Sequence, residues 1–229
     1  MNETDLEYSQ SAIDEESEPS RLEVSFSPGL FLASELKTSF VSSMPNWYQN
    51  NSNSFATLSS LRYRIKPTLQ VGLAFRTVNI NATANNSEEF TVFKAYGTIK
   101  LRDVRGTVHF PLLPQEDGLF QPHQLYFDLG AGYTFGTESV DITWTDYYYN
   151  YPSSESFEHS FQTVTVLAAL RYCYMPKPNF GFNIIADFTS GVPVEISRVA
   201  QATNPHTKAS YELKMSTVSL GAGVSIWLQ

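Results

Sequence analysis

Leu220-Gly-Ala-Gly-Val-Ser-Ile-Trp-Leu228, at the C-terminal end of the chain, is the stretch that decides the fold. Leu220, Ala222, Val224, Ile226 and Leu228 share one face of an extended strand, and Gly221, Gly223, Ser225 and Trp227 share the other. A soluble sheet usually turns charged side chains outward and large apolar ones inward. Here one face is wholly apolar and the other is small and polar. That is the pattern of a strand whose outer face meets lipid and whose inner face lines a narrow barrel.

The same period of two runs through the rest of the chain. Leu22, Val24, Phe26, Pro28, Leu30 and Leu32 alternate with Glu23, Ser25, Ser27, Gly29, Phe31 and Ala33. Leu61, Tyr63 and Ile65 oppose Arg62, Arg64 and Lys66. After the Lys66-Pro67-Thr68 turn, Leu69, Val71, Leu73 and Phe75 oppose Gln70, Gly72, Ala74 and Arg76. Leu125 to Phe135, Val164 to Tyr174 and Phe180 to Phe188 repeat the pattern. A further strand from about Phe90 places Lys94, Lys100 and Arg102 on one face. Its parity slips near Asp103, which reads as a bulge, and a second slip precedes Val140, Ile142 and Trp144. No segment has helical periodicity with caps.

The loops sort by parity. Met44 to Asn53, Asn79 to Glu89, Asp146 to Ser156 and Arg198 to Ala209 are long and rich in polar residues, while the alternate connections are short or Pro-rich. Long loops on one side and short turns on the other are the asymmetry of outer-membrane barrels. A soluble lipocalin-like barrel is disfavoured, because Gly72, Gly130, Gly132, Gly181, Gly221 and Gly223 lie opposite the aromatics, where a crowded lumen needs small residues. Aromatics band at two heights. Tyr63, Phe110, Phe127, Tyr172, Tyr174, Phe180, Phe182 and Trp227 stand near the short turns. Phe40, Phe55, Phe93, Phe135, Trp144, Phe188 and Tyr211 stand near the long loops. Two girdles fit the two interfaces of a bilayer.

Composition agrees. Of 229 residues only 17% are charged and 14% are aromatic. The mean hydropathy of -0.22 is low for a membrane protein, but in a barrel polar lumen positions cancel the lipid-facing signal. The net charge of -8 sits mainly in residues 1–20, which carry seven carboxylates and no Lys or Arg. That segment reads as a disordered acidic tail, either a solubilising leader or a tether for a basic periplasmic partner. An acidic tail argues against nucleic acid, whose phosphates need clustered cations. Residues 21–229 form the barrel. Cys173 is the lone cysteine, so no internal disulfide forms. Met1-Asn2-Glu3-Thr4-Asp5 has no basic n-region or apolar h-region, so the expectation is a mature exported chain with an added start Met.

The expected fold is therefore all-β: an eight-stranded antiparallel transmembrane up-and-down β-barrel. Asp128-Leu-Gly-Ala-Gly-Tyr-Thr-Phe135, Leu61-Arg-Tyr-Arg-Ile-Lys-Pro-Thr-Leu-Gln-Val-Gly-Leu-Ala-Phe75 and the terminal strand carry a resemblance to the small eight-stranded outer-membrane barrels of the OmpA membrane domain, OmpX and OmpW type. The resemblance implies a bacterial outer-membrane location with the tail and C-terminus periplasmic. It also implies contact with outer-membrane lipid and lipopolysaccharide, and insertion by the barrel-assembly machinery. Many members end in an aromatic residue. This chain ends Trp227-Leu228-Gln229, so either its assembly signal is atypical or its terminus is altered.

The expected lumen charge network is Glu23, Glu35, Arg62, Arg64, Arg76, Lys94, Lys100, Arg102, Asp128 and Asp187, with Glu195 added. Both signs are present, and buried charges must pair. The plain reading is a salt-bridge plug, and the functional one is an ion path. Trp144, Tyr147, Tyr148, Tyr149 and Tyr151 form the candidate surface-recognition patch, since Tyr-rich loops give contact area at low entropy cost. The same run equally suits an interfacial anchor touching lipopolysaccharide. His159 and His206, with Glu158, Asp146 and Ser160, are the only candidates for acyl hydrolysis or transfer, and no local motif joins them. His109 and His123, near the periplasmic turns, read as structural. Asn50, Asn81 and Asn85 head chance glycosylation sequons. No cofactor or metal is implied. The expected role is non-enzymatic: a structural or adhesion-like surface protein acting through long loops toward an extracellular or periplasmic protein partner. A small channel, or a conduit for small apolar compounds of the OmpW type, is the alternative. A lipid-modifying enzyme is a distant third.

Overall fold

In the computed structural model, residues 22–43, 48–50, 54–88, 91–113, 120–146, 151–197 and 210–228 are described. The elements are β1 (Leu22–Ser34), α1 (Glu35–Ser43), β2 (Tyr48–Asn50), β3 (Ser54–Lys66), β4 (Leu69–Glu88), β5 (Thr91–Pro111), β6 (His123–Asp146), β7 (Tyr151–Lys177), β8 (Phe180–Gly191), β9 (Val194–Ser197), β10 (Ser210–Leu213) and β11 (Thr217–Leu228).

Eight strands pair antiparallel in a ring, β1–β3–β4–β5–β6–β7–β8–β11, and β11 pairs back onto β1. The ladder can be followed once round through Leu22, Tyr63, Val71, Val108, Leu129, Ala168, Phe188 and Val218. It returns to β1 at Ala33, eleven residues beyond its start. That stagger is the shear that tilts the strands of a narrow barrel. With every ring strand flanked on both sides, backbone polar groups are satisfied inside the sheet, as a bilayer requires.

The outer surface carries a belt of exposed apolar side chains, including Phe26, Leu61, Leu73, Val104, Leu129, Val166, Ile184 and Val224. The belt crosses all eight ring strands. The inner face at the same level is polar and small. Gly132 shows why: a Cβ there would lie 2.7 Å from the Cα of Arg105 on the neighbouring strand. Pro67 and Pro178 stand in the tight turns after β3 and β7, where a missing N–H costs the ladder nothing.

The strands are unequal. β1, β3, β8 and β11 have 13, 13, 12 and 12 residues, while β4, β5, β6 and β7 have 20, 21, 24 and 27. The four long strands rise past the belt as two hairpins joined side by side through the β5–β6 ladder. Most of the stretches that the sequence assigns to polar loops at Asn79 to Glu89 and Asp146 to Ser156 are therefore paired strand. Neither expected parity slip exists. The β4–β5, β5–β6 and β6–β7 ladders run without a register shift past Asp103 and past Val140. Alternation is kept and the solvent changes. Above the belt Val78, Ile80, Ile99, Leu101, Val140 and Ile142 point inward and are buried, while Asn79, Lys100, Thr143 and Ser156 point outward.

Helix α1 and the β9–β10 hairpin complete this upper core. Leu36 and Phe40, one helical turn apart, are fully buried with Ile196, Leu213 and Met215. The Leu36 amide donates to the Ser216 carbonyl (3.3 Å), and the Lys214 amide donates to Ser39 Oγ (3.2 Å). Sequence periodicity gives no sign of this helix beyond the Leu36–Phe40 spacing. Several aromatics leave their expected girdles. Phe40 is buried in α1, Trp144 and Tyr211 pack against the upper core, and Trp227 turns inward onto Cys173 and Met175. Tyr63, Phe110, Tyr172, Tyr174 and Phe182 remain outward near the short turns, and Phe55, Phe135 and Phe188 remain outward toward the long hairpins.

Candidate functional site

The barrel interior is built in three levels, each set by which strand turns which side chain inward. Nearest the short turns, Glu23 of β1 accepts from Arg62 of β3 (2.7 Å) and Arg171 of β7 (3.0 Å). Arg171 also reaches Asp128 of β6 (3.3 Å) and lies 4.1 Å over the Tyr126 ring. Asp128 Oδ1 lies 2.8 Å from Nδ1 of His109 on β5, and the other ring nitrogen meets Thr107 Oγ1 at 2.9 Å. A polar layer follows, in which Ser27 donates to Asn183, Asn183 donates to Ser225, and Ser25 pairs with Ser60.

The second level is centred on Arg76 of β4. Its guanidinium donates to Asp103 of β5 (2.7 Å), Asp187 of β8 (3.2 Å), Thr189 (3.0 Å) and Thr217 (3.1 Å). Arg105 bonds the same Asp103 oxygen (2.5 Å) and Thr189 (3.1 Å). Ser219 donates to Asp187. Across both levels the four carboxylates Glu23, Asp103, Asp128 and Asp187 face the four guanidiniums Arg62, Arg76, Arg105 and Arg171. All eight side chains are buried. A buried charge without a partner costs several kcal/mol, so this balance is what lets them sit there. The third level is the apolar core beneath α1.

The expected lumen set divides. Glu23, Arg62, Arg76, Asp128 and Asp187 lie inside, and Arg64 is half-exposed near the short turns. Lys94, Lys100 and Arg102 point outward, because β5 keeps one register where the sequence suggests a bulge. Glu35, on the first turn of α1, and Glu195, on β9, are exposed as well. Their places are taken by Asp103, Arg105 and Arg171. Unbroken alternation from Arg76's partner strand would have found the first two, and Arg171 already shares the face of Thr163 and Thr165.

The candidate recognition patch is altered too. Trp144 packs against the apolar core and is half-buried. Tyr147, Tyr148 and Tyr149 lie outside the described residues, as does the side chain of Tyr151. The described members of the acyl-transfer set do not share a face. Glu158 and Ser160 point outward while His159 between them points inward, and His206 and the Asp146 side chain lie outside the described residues. His123 sits on the outer face, its Nδ1 2.6 Å from the Tyr172 hydroxyl. Among the described residues no His, Cys, Asp and Glu cluster is arranged to hold a metal ion. The acidic segment 1–20 also lies outside them.

No protein-family model matches the chain, and no curated protein matches it in sequence. Solved structures do match. The outer membrane protein OprG from Pseudomonas aeruginosa is 12% identical with a TM-score of 0.53, over 93% of this chain and 97% of that one. Neisserial surface protein A is 15% identical with a TM-score of 0.40, over 90% and 96%. Ail, the attachment invasion locus protein of Yersinia pestis, is 15% identical with a TM-score of 0.37, over 90% and 97%. At such identities only the fold is shared, and the OprG likeness is the one that bears on it. The closed antiparallel ring, the apolar belt and that likeness agree: this chain has the fold of the small eight-stranded outer-membrane β-barrels.

Proposed function

We propose that this protein is a non-conducting, non-enzymatic outer-membrane barrel whose long hairpins form a rigid recognition platform outside the cell. The observation that carries the reading is the contrast along β4–β7. Their lower halves enclose a lumen filled by paired charge, and their upper halves continue past the belt around an apolar core. A protein selected to conduct would not fill its interior at three levels. The platform needs no flexible loop to hold its shape, because paired strand supplies the surface up to the hairpin tips. The short turns and both ends of the ring, Leu22 and Leu228, face the periplasm in this reading, as short turns do in outer-membrane barrels.

The test has two arms. In planar bilayers the purified barrel should give no steady conductance. Cells displaying it should adhere to at least one member of an immobilised panel of matrix proteins and glycans. Deleting residues 147–150 together with Tyr96→Ser should weaken that adhesion while leaving a heat-modifiable barrel. A steady conductance abolished by Arg76→Gln would favour a channel. Passage of small apolar compounds into proteoliposomes would favour the conduit. Either result, or adhesion untouched by the platform variant, would overturn the proposal.

A further inference from the structure

We infer that the outer wall of β5–β7 carries a binding site for the phosphorylated headgroup of an outer-leaflet glycolipid, with Lys100 and Arg102 as its anion-binding side chains. The inference rests on the orientation given above, with the long hairpins outside. Rows of outward side chains on three adjacent strands define the wall. Val104, Tyr133 and Val164 form one row, all exposed and apolar. Arg102, Phe135 and Gln162 form the next row up, and Lys100, Thr137 and Ser160 the one above it. These six residues line a depression of about 510 Å³ on the outside of the barrel.

The change from lipid-facing to water-facing surface thus falls within one step of the ladder, and the two cations stand on that step. Same-face neighbours on a strand are about 6.6 Å apart. Two flexible cationic side chains at that spacing can close on one phosphate. Among the described residues neither Lys100 nor Arg102 makes an ion pair, whereas four arginines inside the barrel are all paired. The nearest carboxylates by register, Glu158 and Asp141, lie one and two rows higher. The order down the wall is the order of a phosphorylated glycolipid. Tyr96 and Thr98 offer a ring and a hydroxyl to sugar. Lys100 and Arg102 offer charge to phosphate. Val104, Tyr133 and Val164 offer apolar surface to acyl chains.

The test refolds the full chain into phosphatidylcholine vesicles containing bisphosphorylated lipid A and counts lipid A retained per barrel after mild detergent extraction, by native mass spectrometry. Wild type should retain lipid A, and the Lys100→Gln/Arg102→Gln variant should bind it about thirtyfold more weakly, at about fivefold per cation. Lys94→Gln/Lys214→Gln removes two exposed cations from the same side of the belt and should leave retention unchanged. Dephosphorylated lipid A should bind wild type no better than the double variant. Equal retention by both double variants and wild type would overturn the site. So would equal loss in the control variant, which would mean diffuse charge. Displacement of lipid A by low concentrations of inorganic phosphate would assign the site to free phosphate and overturn the lipid reading. Each variant's heat-modifiable band reports folding, and a wild-type chain that does not enter vesicles at all would overturn the spanning reading and the site with it.

Discussion

From Val104 down, strand β5 turns Val104, Val108 and Phe110 outside; from Leu101 up to Ala95 it turns its aliphatic side chains inside and leaves Tyr96 out. The same ladder, with no residue inserted or lost, serves both halves. In the belt half the outer face is solvated by lipid, so Val104 and Val108 face out and Asp103, Arg105, Thr107 and His109 pair inside. In the upper half the outer face meets water, so Lys100, Thr98 and Lys94 face out and Leu101, Ile99 and Ala95 pack inside. The difference teaches that alternation reports which residues share a face, while the solvent decides which face takes the apolar set. One strand can pass through two solvents and carry both patterns in register.

The two halves should break differently. The largest effect is expected inside the belt half. Arg76→Ala leaves Asp103 and Asp187 buried beside a missing cation, and should destabilise the barrel by about 3–5 kcal/mol in urea unfolding from detergent micelles. Arg76→Met with Asp187→Leu should recover part of that loss, because Asp103 keeps Arg105 and neither charge of that pair is left unpaired. In the upper half, Ile142→Ala removes buried volume from the apolar core and should cost about 2–5 kcal/mol. Its signature is local. Amide exchange should quicken in the upper parts of β4–β7 and stay slow in β1, β8 and β11.

A lipid-facing charge comes next. Leu73→Arg, Ile184→Arg and Val224→Arg should each cost about 2–4 kcal/mol near the bilayer midplane, measured by refolding into vesicles. The smallest effect sharpens the comparison most. Thr98→Arg places the same side chain on the same outward face of β5, above the belt, and should stay within about 0.5 kcal/mol of wild type. A cost at Thr98 equal to that at Leu73 would mean that lipid extends higher up the wall than the belt indicates.

Much of the fold is legible in the sequence where a strand meets one solvent only. β1, β8 and β11 are short, lie mostly within the belt and show the lipid pattern along their described side chains, and β3 shows it from Leu61 to Ile65. β4 to β7 mislead in their upper halves. Apolar residues there change face, and a reader who keeps them facing lipid must invent a slip at Asp103. The error moves Lys94, Lys100 and Arg102 into the lumen and hides Asp103 and Arg105, so half of the second ion-pair level goes missing. Glu23, Arg62 and Asp128 are legible because a charge on the small face of a membrane strand has nowhere to go but inward. Helix α1 is hidden for another reason. Its nine residues include Ser39, Ser42 and Ser43, whose hydroxyls bond carbonyls three residues back, and tertiary burial of Leu36 and Phe40 supplies what propensity does not. Trp144 reads as a surface aromatic from its polar neighbours and is drawn inward by the upper core.

The most direct test of the two-solvent account is a spin-label scan of β5 in lipid vesicles, in a Cys173→Ala background, with single cysteines at Ile99, Lys100, Leu101, Arg102, Val104 and Gly106. Collisions with oxygen report lipid, and collisions with a water-soluble nickel chelate report water. The account predicts oxygen access at Val104 and Gly106, nickel access at Lys100, and neither at Ile99 or Leu101, with even and odd positions keeping one phase throughout. Oxygen access at Leu101 and Ile99, with Lys100 and Arg102 protected from both reagents, would place a bulge at Asp103 and contradict it.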